Sequence, residues 1–295
     1  MVVDSRLRAD LALVLVALFW GVTFPLIRGA LEVLSPQQFV AWRFSLATLA
    51  FLPLLVASRE ARSGLRGVLG VGLLLGVISG FSYFAQTWGL QTVPAGRAAF
   101  VTGTSVVIVP LLAPLFRAGR PGVADFVAAI VATGGLYMLT ADDTQSAAGL
   151  VTGDFWILLC AFSYAVYILV LQRVLEKPRN PVALAFAQVA AIAFFADLVL
   201  GSTGSVRITW SPWVISALVF CALLATVATF WLQARFQGQT TAQRVALIFA
   251  LEPVFAAFFA WWLLHERMGL EGLLGAILVL GAVLGAELVG ARRRA

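Results

Sequence analysis

Apolar runs of about 20 residues recur along the whole chain, over 10–28, 36–57, 66–90, 96–116, 122–140, 152–174, 181–200, 211–235, 242–264 and 269–289. A helix that crosses the hydrocarbon core of a bilayer needs about that length. Lipid offers the backbone no hydrogen-bond partners, so only helices and closed barrels span it. The ten runs therefore predict an all-α integral membrane protein with ten transmembrane helices. Composition agrees: 61 % of the 295 residues are hydrophobic and 12 % are charged, about half the charged share of a soluble domain. A soluble enzyme, a secreted disulfide scaffold and a disordered chain are excluded on that ground. Cys160 and Cys221 fall inside apolar runs and read as small buried hydrophobes, with no disulfide or metal role.

The net charge of +6 is spread between the runs, with no dense patch beyond Arg292, Arg293 and Arg294. Nucleic acid is therefore not an expected partner, and the lipid bilayer is. Arg6 and Arg8 precede an apolar run without a small-residue cleavage site, so the run reads as a retained first helix and not a signal peptide. Ten spans put both termini on one side. That side carries 15 Lys and Arg residues, the other carries four (Arg28, Arg97, Arg207 and Arg267), and Arg43 lies within a span. Positive charge stays cytoplasmic, so both termini are expected inside. Trp42, Trp88, Trp156, Trp210, Trp213, Trp261 and Trp262 then form an outer interfacial belt.

Residues 83–140 align without a gap on 230–287, an offset of 147 that pairs Gln86 with Gln233, Arg97 with Arg244, Arg120 with Arg267 and Gly134 with Gly281. The first spans align at 144 or 145, which pairs Asp10 with Asp154, Trp20 with Tyr164 and Pro36 with Pro181. The sequence thus divides into two five-helix repeats, 1–145 and 146–295. Five is odd, so the second enters the membrane inverted, with a central cavity between the halves.

Several local patterns carry a family resemblance. The first span reads Trp20-Gly21-Val22-Thr23-Phe24-Pro25, followed by Pro36 and Arg43-Phe44; the ninth carries Leu251-Glu252-Pro253 and closes with His265-Glu266. With the five-plus-five arrangement, the chain resembles the drug/metabolite transporter superfamily of the EamA type over its whole length. Within it, the chain looks most like the YddG-type aromatic amino acid exporters. The resemblance implies a secondary transporter working by alternating access, with a small-molecule substrate such as an aromatic amino acid. A broader drug or metabolite exporter is the alternative, and a structural membrane subunit is the reading from another class. An Arg-rich, Ala-, Gly- and Val-rich composition is that of a GC-rich bacterial gene, which places the expected site of action in the bacterial inner membrane. No nucleophile–base pair, paired intramembrane acids or His-rich helix is present in the sequence, so no enzyme, catalytic residue, metal or cofactor is expected, and the transporter is expected to act as a monomer.

The candidate substrate-binding residues are Trp20, Phe24, Tyr83, Gln86, Thr102, Tyr164, Tyr167 and Trp231. Trp20, Thr23 and Phe24 share a helix face, as do Tyr164 and Tyr167, and mid-membrane phenols need polar partners. Tyr83/Phe84 and Phe230/Trp231 are repeat mates expected above and below the site, as gates. Helix packing is the alternative reading for each, and for Gln233 it is the favoured one. Arg43 and Glu252 are expected to be structural, with a contact to a substrate carboxylate and a proton-carrying role as their respective alternatives, and His265 is expected to be incidental. Gly72, Gly76 and Gly80, and again Gly281 and Gly285, have the spacing of close helix contacts. Pro25, Pro110, Pro114 and Pro253 are candidate bending points.

Overall fold

The computed structural model describes residues 2–118, 121–139, 152–203, 210–264 and 269–292. Among them every regular element is helical. In chain order these are α1 (Val2–Ala30), α2 (Pro36–Ala57), α3 (Arg59–Gly89), α4 (Ala95–Gly103), α5 (Ser105–Leu112), α6 (Val123–Leu139), α7 (Thr152–Val174), α8 (Pro181–Thr203), α9 (Pro212–Ala222), α10 (Thr229–Phe236), α11 (Ala242–Phe249), α12 (Glu252–Leu264) and α13 (Leu270–Arg292). A π-helical segment, Leu223–Ala228, joins α9 to α10.

Eight stretches are long and apolar enough to cross a membrane, and two shorter apolar helices accompany them, Val123–Met138 and Leu270–Gly285. Leu49, Leu54, Leu115, Phe194 and Leu284 are among the many large apolar side chains left exposed, as a lipid-facing surface requires. Trp42, Trp210, Trp213, Trp261 and Trp262 are exposed too. Arg120, Arg207, His265, Glu266, Arg267, Arg293 and Arg294 lie outside the described residues.

Short polar caps set the helix starts. The Ser35 hydroxyl accepts from the Gln38 amide while the Gln38 side chain accepts from the Ser35 amide, and Pro36 follows at the first helical position. The hydroxyls of Ser58, Ser211 and Thr241 accept from a backbone amide at the starts of α3, α9 and α11, without the reciprocal bond. Pro25 and Pro110 do not stop their helices: α1 runs through the first and α5 through the second.

Two spans break elsewhere, at positions that the 147-residue sequence offset aligns. One interruption is Thr104, between α4 and α5, and the other is Ala250–Leu251, between α11 and α12. At the second, Pro253 has no amide hydrogen and its ring crowds the carbonyl four residues back, at Phe249. At the first, the Thr104 hydroxyl donates to the Val101 carbonyl at 2.6 Å and competes with the helical ladder. The breaks touch: a Cβ on Gly103 would lie 3.0 Å from Cγ of Pro253.

Glycines bring several helix pairs into backbone contact. A Cβ on Gly76 would lie 2.6 Å from Cβ of Ala191, and one on Gly72 would strike Ala187, so α3 lies directly on α8. Gly21 seats α1 on α12, where an added Cβ would lie 2.8 Å from the Glu252 carbonyl oxygen. Gly135, not Gly281 or Gly285, carries the contact of α6 with α13: its Cβ would lie 2.7 Å from the Gly275 carbonyl oxygen. An added Cβ at Gly281 or Gly285 would meet nothing within 4 Å. Those two glycines line an apolar groove of about 720 Å³ between α6 and α13, walled by Val127, Val131, Ile277 and Leu278. The expected small-residue packing at these positions is corrected accordingly: spacing marks a smooth helix face, and the partner's shape decides whether it is covered.

Candidate functional site

The two helix breaks face a cavity near the middle of the bundle. It is lined by Trp20 and Thr23 from α1, Arg43 from α2, Ser82, Tyr83 and Gln86 from α3, Thr102 from α4, Cys160 and Tyr164 from α7, and Glu252 from α12. Its volume is about 30 Å³, room for one or two waters. Sites that enclose small molecules span about 300–1,000 Å³. The cavity is therefore smaller than a metabolite.

Its aromatic walls are built largely from residues that the sequence offsets of 144 and 147 align. Trp20 and Tyr164 meet edge to face, with ring centroids 5.5 Å apart, and Phe249 packs on both at 5.2 and 6.1 Å. Tyr83 stacks on Phe230 at 6.2 Å. Both pairs are repeat mates in contact with each other. The expected arrangement of Tyr83/Phe84 and Phe230/Trp231 as separate gates above and below the site does not hold for Tyr83 and Phe230, which form one layer.

The π-helical segment supplies the polar anchor. An extra residue in a helical turn leaves a carbonyl without its usual partner, and here the Ala225 carbonyl takes two side-chain donors. Trp20 Nε1 reaches it at 3.1 Å and Arg43 Nη2 at 2.9 Å. Arg43 Nε also donates to Thr226 Oγ1 at 2.9 Å, and that hydroxyl donates to the Cys221 carbonyl at 2.7 Å. The Arg43 guanidinium lies 4.7 Å from the Tyr83 ring centroid and 5.3 Å from that of Phe44, cation–π distances for a charge removed from water. Arg43 is thus a backbone tie, the role favoured from the sequence, and it also lines the cavity, where the alternative role would place it.

Of the eight candidate residues, Trp20, Tyr83, Gln86, Thr102 and Tyr164 come together at this cavity. The other three are elsewhere. Phe24 is buried in an apolar cluster with Ile27, Phe39, Leu90 and Ala98; it keeps the face of Trp20 but lies one helical turn, about 6 Å, farther along α1. Tyr167 is buried and donates to Gln188 Oε1 at 2.9 Å, with its ring stacked 6.0 Å from Tyr164. Trp231 is 37 % exposed, since its neighbour Phe230 takes the inward position. Gln233 is buried and donates to Gln237 Oε1 at 2.9 Å, in keeping with a packing role. Thr23, Ser82, Cys160, Arg43 and Glu252 complete the lining. Glu252-Pro253 was a visible signal for one of them; Ser82 and Cys160 had none, since they join the site through the Ser82 bonds to Cys160 O at 3.1 Å and Sγ at 3.3 Å.

Among the described residues no group of three His, Cys, Asp or Glu side chains could hold a metal ion. Two mostly buried ion pairs lie outside the cavity lining. Arg97 Nη2 meets Asp154 Oδ2 at 2.8 Å, and Arg244 Nη2 meets Asp10 Oδ2 at 2.5 Å with Nε at 2.9 Å from Oδ1.

This geometry agrees with a sequence match to known transporters. The EamA-like transporter family matches twice, over residues 7–141 and 151–287. The chain belongs to the EamA-like transporter family. A protein of Archaeoglobus fulgidus described as an "uncharacterized transporter" is 33 % identical, over 95 % of this chain and 86 % of the relative. A protein of Escherichia coli described as a "probable amino-acid metabolite efflux pump" is 26 % identical, over 94 % of this chain and 93 % of the relative. A crystal structure with 17 % identity superposes with a TM-score of 0.81, covering 98 % of this chain and all of that one, and so has the same fold. This transporter is therefore a multi-pass membrane protein of a transport family, which is not an enzyme class.

Proposed function

We propose that this transporter is a secondary exporter of aromatic amino acids across the bacterial inner membrane, acting as a monomer by alternating access. The observation that carries the reading is the cavity at the meeting point of two broken helices, walled by Trp20, Tyr83 and Tyr164 and edged by Gln86 and Thr102. Aromatic rings stack favourably on such walls, and discontinuous helices supply exposed polar backbone at membrane depth. The Escherichia coli relative named for amino-acid metabolite efflux supports the substrate class.

The same reading divides the chain into halves 1–145 and 146–295, inverted relative to each other, with both termini cytoplasmic. Its supports are the two family matches and the contacts between repeat mates at Trp20–Tyr164 and Tyr83–Phe230. The two ion pairs are repeat mates as well, and each joins one half to the other. Rocking of the halves breaks them in turn: Arg244–Asp10 when the cavity opens to the cytoplasm, Arg97–Asp154 when it opens outward.

The test is efflux from liposomes preloaded with labelled tryptophan, phenylalanine or threonine. Faster release of the aromatic pair, reduced by Trp20→Ala and by Tyr164→Ala, is the expected result. Equal release of all three would leave a broad metabolite exporter in its place.

A further inference from the structure

A basic and an acidic side chain share the cavity and do not pair with each other. The Glu252 side chain is 6 % exposed, lines the cavity and makes no hydrogen bond or ion pair with any described residue. Arg43 is 2 % exposed; its Nε and Nη2 are taken by Thr226 and the Ala225 carbonyl, while Nη1 donates to no described residue. The buried hydroxyl of Thr102, at the first helix break, also has no hydrogen-bond partner. A charge at membrane depth is costly unless it is paired. Nearby Gln86 could donate or accept. The protein thus presents a spare donor on a fixed cation, a spare carboxyl group and a spare hydroxyl to one small space.

We propose that the ligand is bound by its main chain as a zwitterion: Arg43 Nη1 takes the carboxylate, Glu252 takes the ammonium, and Thr102 adds a hydrogen bond. The inference rests on the reading of this cavity as the transport site. It deepens that reading, because aromatic walls alone would accept an amine or an acid equally. A zwitterion satisfies both charges at once. An amine leaves Arg43 with an unmet donor, and an acid places a second anion beside Glu252. Arg43 is held in place by the π-helical segment, so the cation is positioned before the ligand arrives.

The experiment is calorimetric titration of the full-length protein in lipid nanodiscs with L-tryptophan, tryptamine and indole-3-propionate. The native protein is expected to bind tryptophan about tenfold or more tightly than either analogue, the factor typical of a hydrogen bond to a charged group. Glu252→Gln is expected to weaken tryptophan and tryptamine and to spare indole-3-propionate. Arg43→Gln is expected to weaken tryptophan and indole-3-propionate and to spare tryptamine. Should Arg43→Gln fail to fold for want of its backbone ties, the Glu252→Gln series decides. Equal weakening of all three compounds in Glu252→Gln, or native binding of an analogue as tight as that of tryptophan, overturns the proposal. A parallel series with leucine, isopentylamine and 4-methylpentanoate separates the two readings. Preference for leucine there, with no binding of the indole compounds, upholds the zwitterion site and ends the aromatic assignment. Absence of binding in both series ends the zwitterion site.

Discussion

Arg97 meets Asp154 at 2.8 Å, and their repeat counterparts Arg244 and Asp10 meet at 2.5 Å. The pairs sit at opposite ends of α1. Asp10 is near its start, while Gly153, beside Asp154, packs on Thr92 and Gly89, next to the Leu90 carbonyl that accepts from Arg28 near the end of α1. Eighteen residues of helix, about 27 Å, separate Asp10 from Arg28. All four side chains are mostly buried, 9–17 % exposed, so each pair is shielded from salt more than a surface pair would be.

Removing one latch is expected to open one side. Cys160 lines the cavity and is buried, so it reports access without an added thiol. In a Cys221→Ala background, Arg244→Gln is expected to raise labelling of Cys160 by a membrane-impermeant maleimide from the cytoplasmic side, and Arg97→Gln from the outside. Labelling unchanged from both sides would argue that the pairs hold the fold and do not alternate.

The pairs can be swapped as well as broken. Asp10→Arg alone places like charges together and is expected to lower the thermal unfolding temperature by several degrees. Asp10→Arg with Arg244→Asp is expected to recover most of that loss, since breaking a buried pair costs about 3–5 kcal/mol while the reversed pair restores it. The measurement is thermal unfolding in detergent, followed by the fluorescence of a thiol dye.

Close glycine contacts predict sharply different tolerances. Gly76→Leu is expected to destabilise the protein by about 1–3 kcal/mol, or to abolish its expression, because the new side chain meets Ala191 across α3 and α8. Gly281→Ala is expected to be neutral or to stabilise by up to about 1 kcal/mol, since its Cβ enters open space and alanine favours the helix. Yield and unfolding temperature distinguish the two.

The helix breaks are expected to matter for turnover more than the prolines inside continuous helices. Pro253→Ala is expected to slow efflux several-fold while the protein stays folded, because it allows α11 and α12 to join. Pro110→Ala, within the unbroken α5, is expected to change the rate little. Initial efflux rates at matched protein content measure both.

The Trp20 ring is both wall and donor. Trp20→Phe is expected to keep the edge contact with Tyr164 and lose the bond to the Ala225 carbonyl, which Arg43 still satisfies. A stability loss of about 1 kcal/mol is expected. Trp20→Ala also removes the aromatic contact, and a double-mutant cycle with Tyr164→Ala is expected to show a coupling of about 0.5–1.5 kcal/mol.

Sequence alone determined the features that solvent and period control. Apolar runs must be helices in lipid, so the helical class, the multi-pass character and most element positions could be read from residue order. The 144-to-147 offset pairs Trp20 with Tyr164 and Tyr83 with Phe230, which are in contact, and Trp20, Tyr83, Gln86, Thr102 and Tyr164 share one cavity. Only the tertiary structure decided the rest. Phe230 is buried and Trp231 is exposed just beyond the π-helical segment, a choice between neighbours that no hydrophobic pattern marks because both side chains are apolar. Arg43 and Glu252 became cavity walls because neighbouring helices left them there, partly unpaired. Equal spacing did not distinguish Gly72 and Gly76, which are covered, from Gly281 and Gly285, which are open. Helix periodicity specifies which face a residue takes; the contact that meets that face depends on packing between segments distant in the chain, and that is settled only when the bundle assembles.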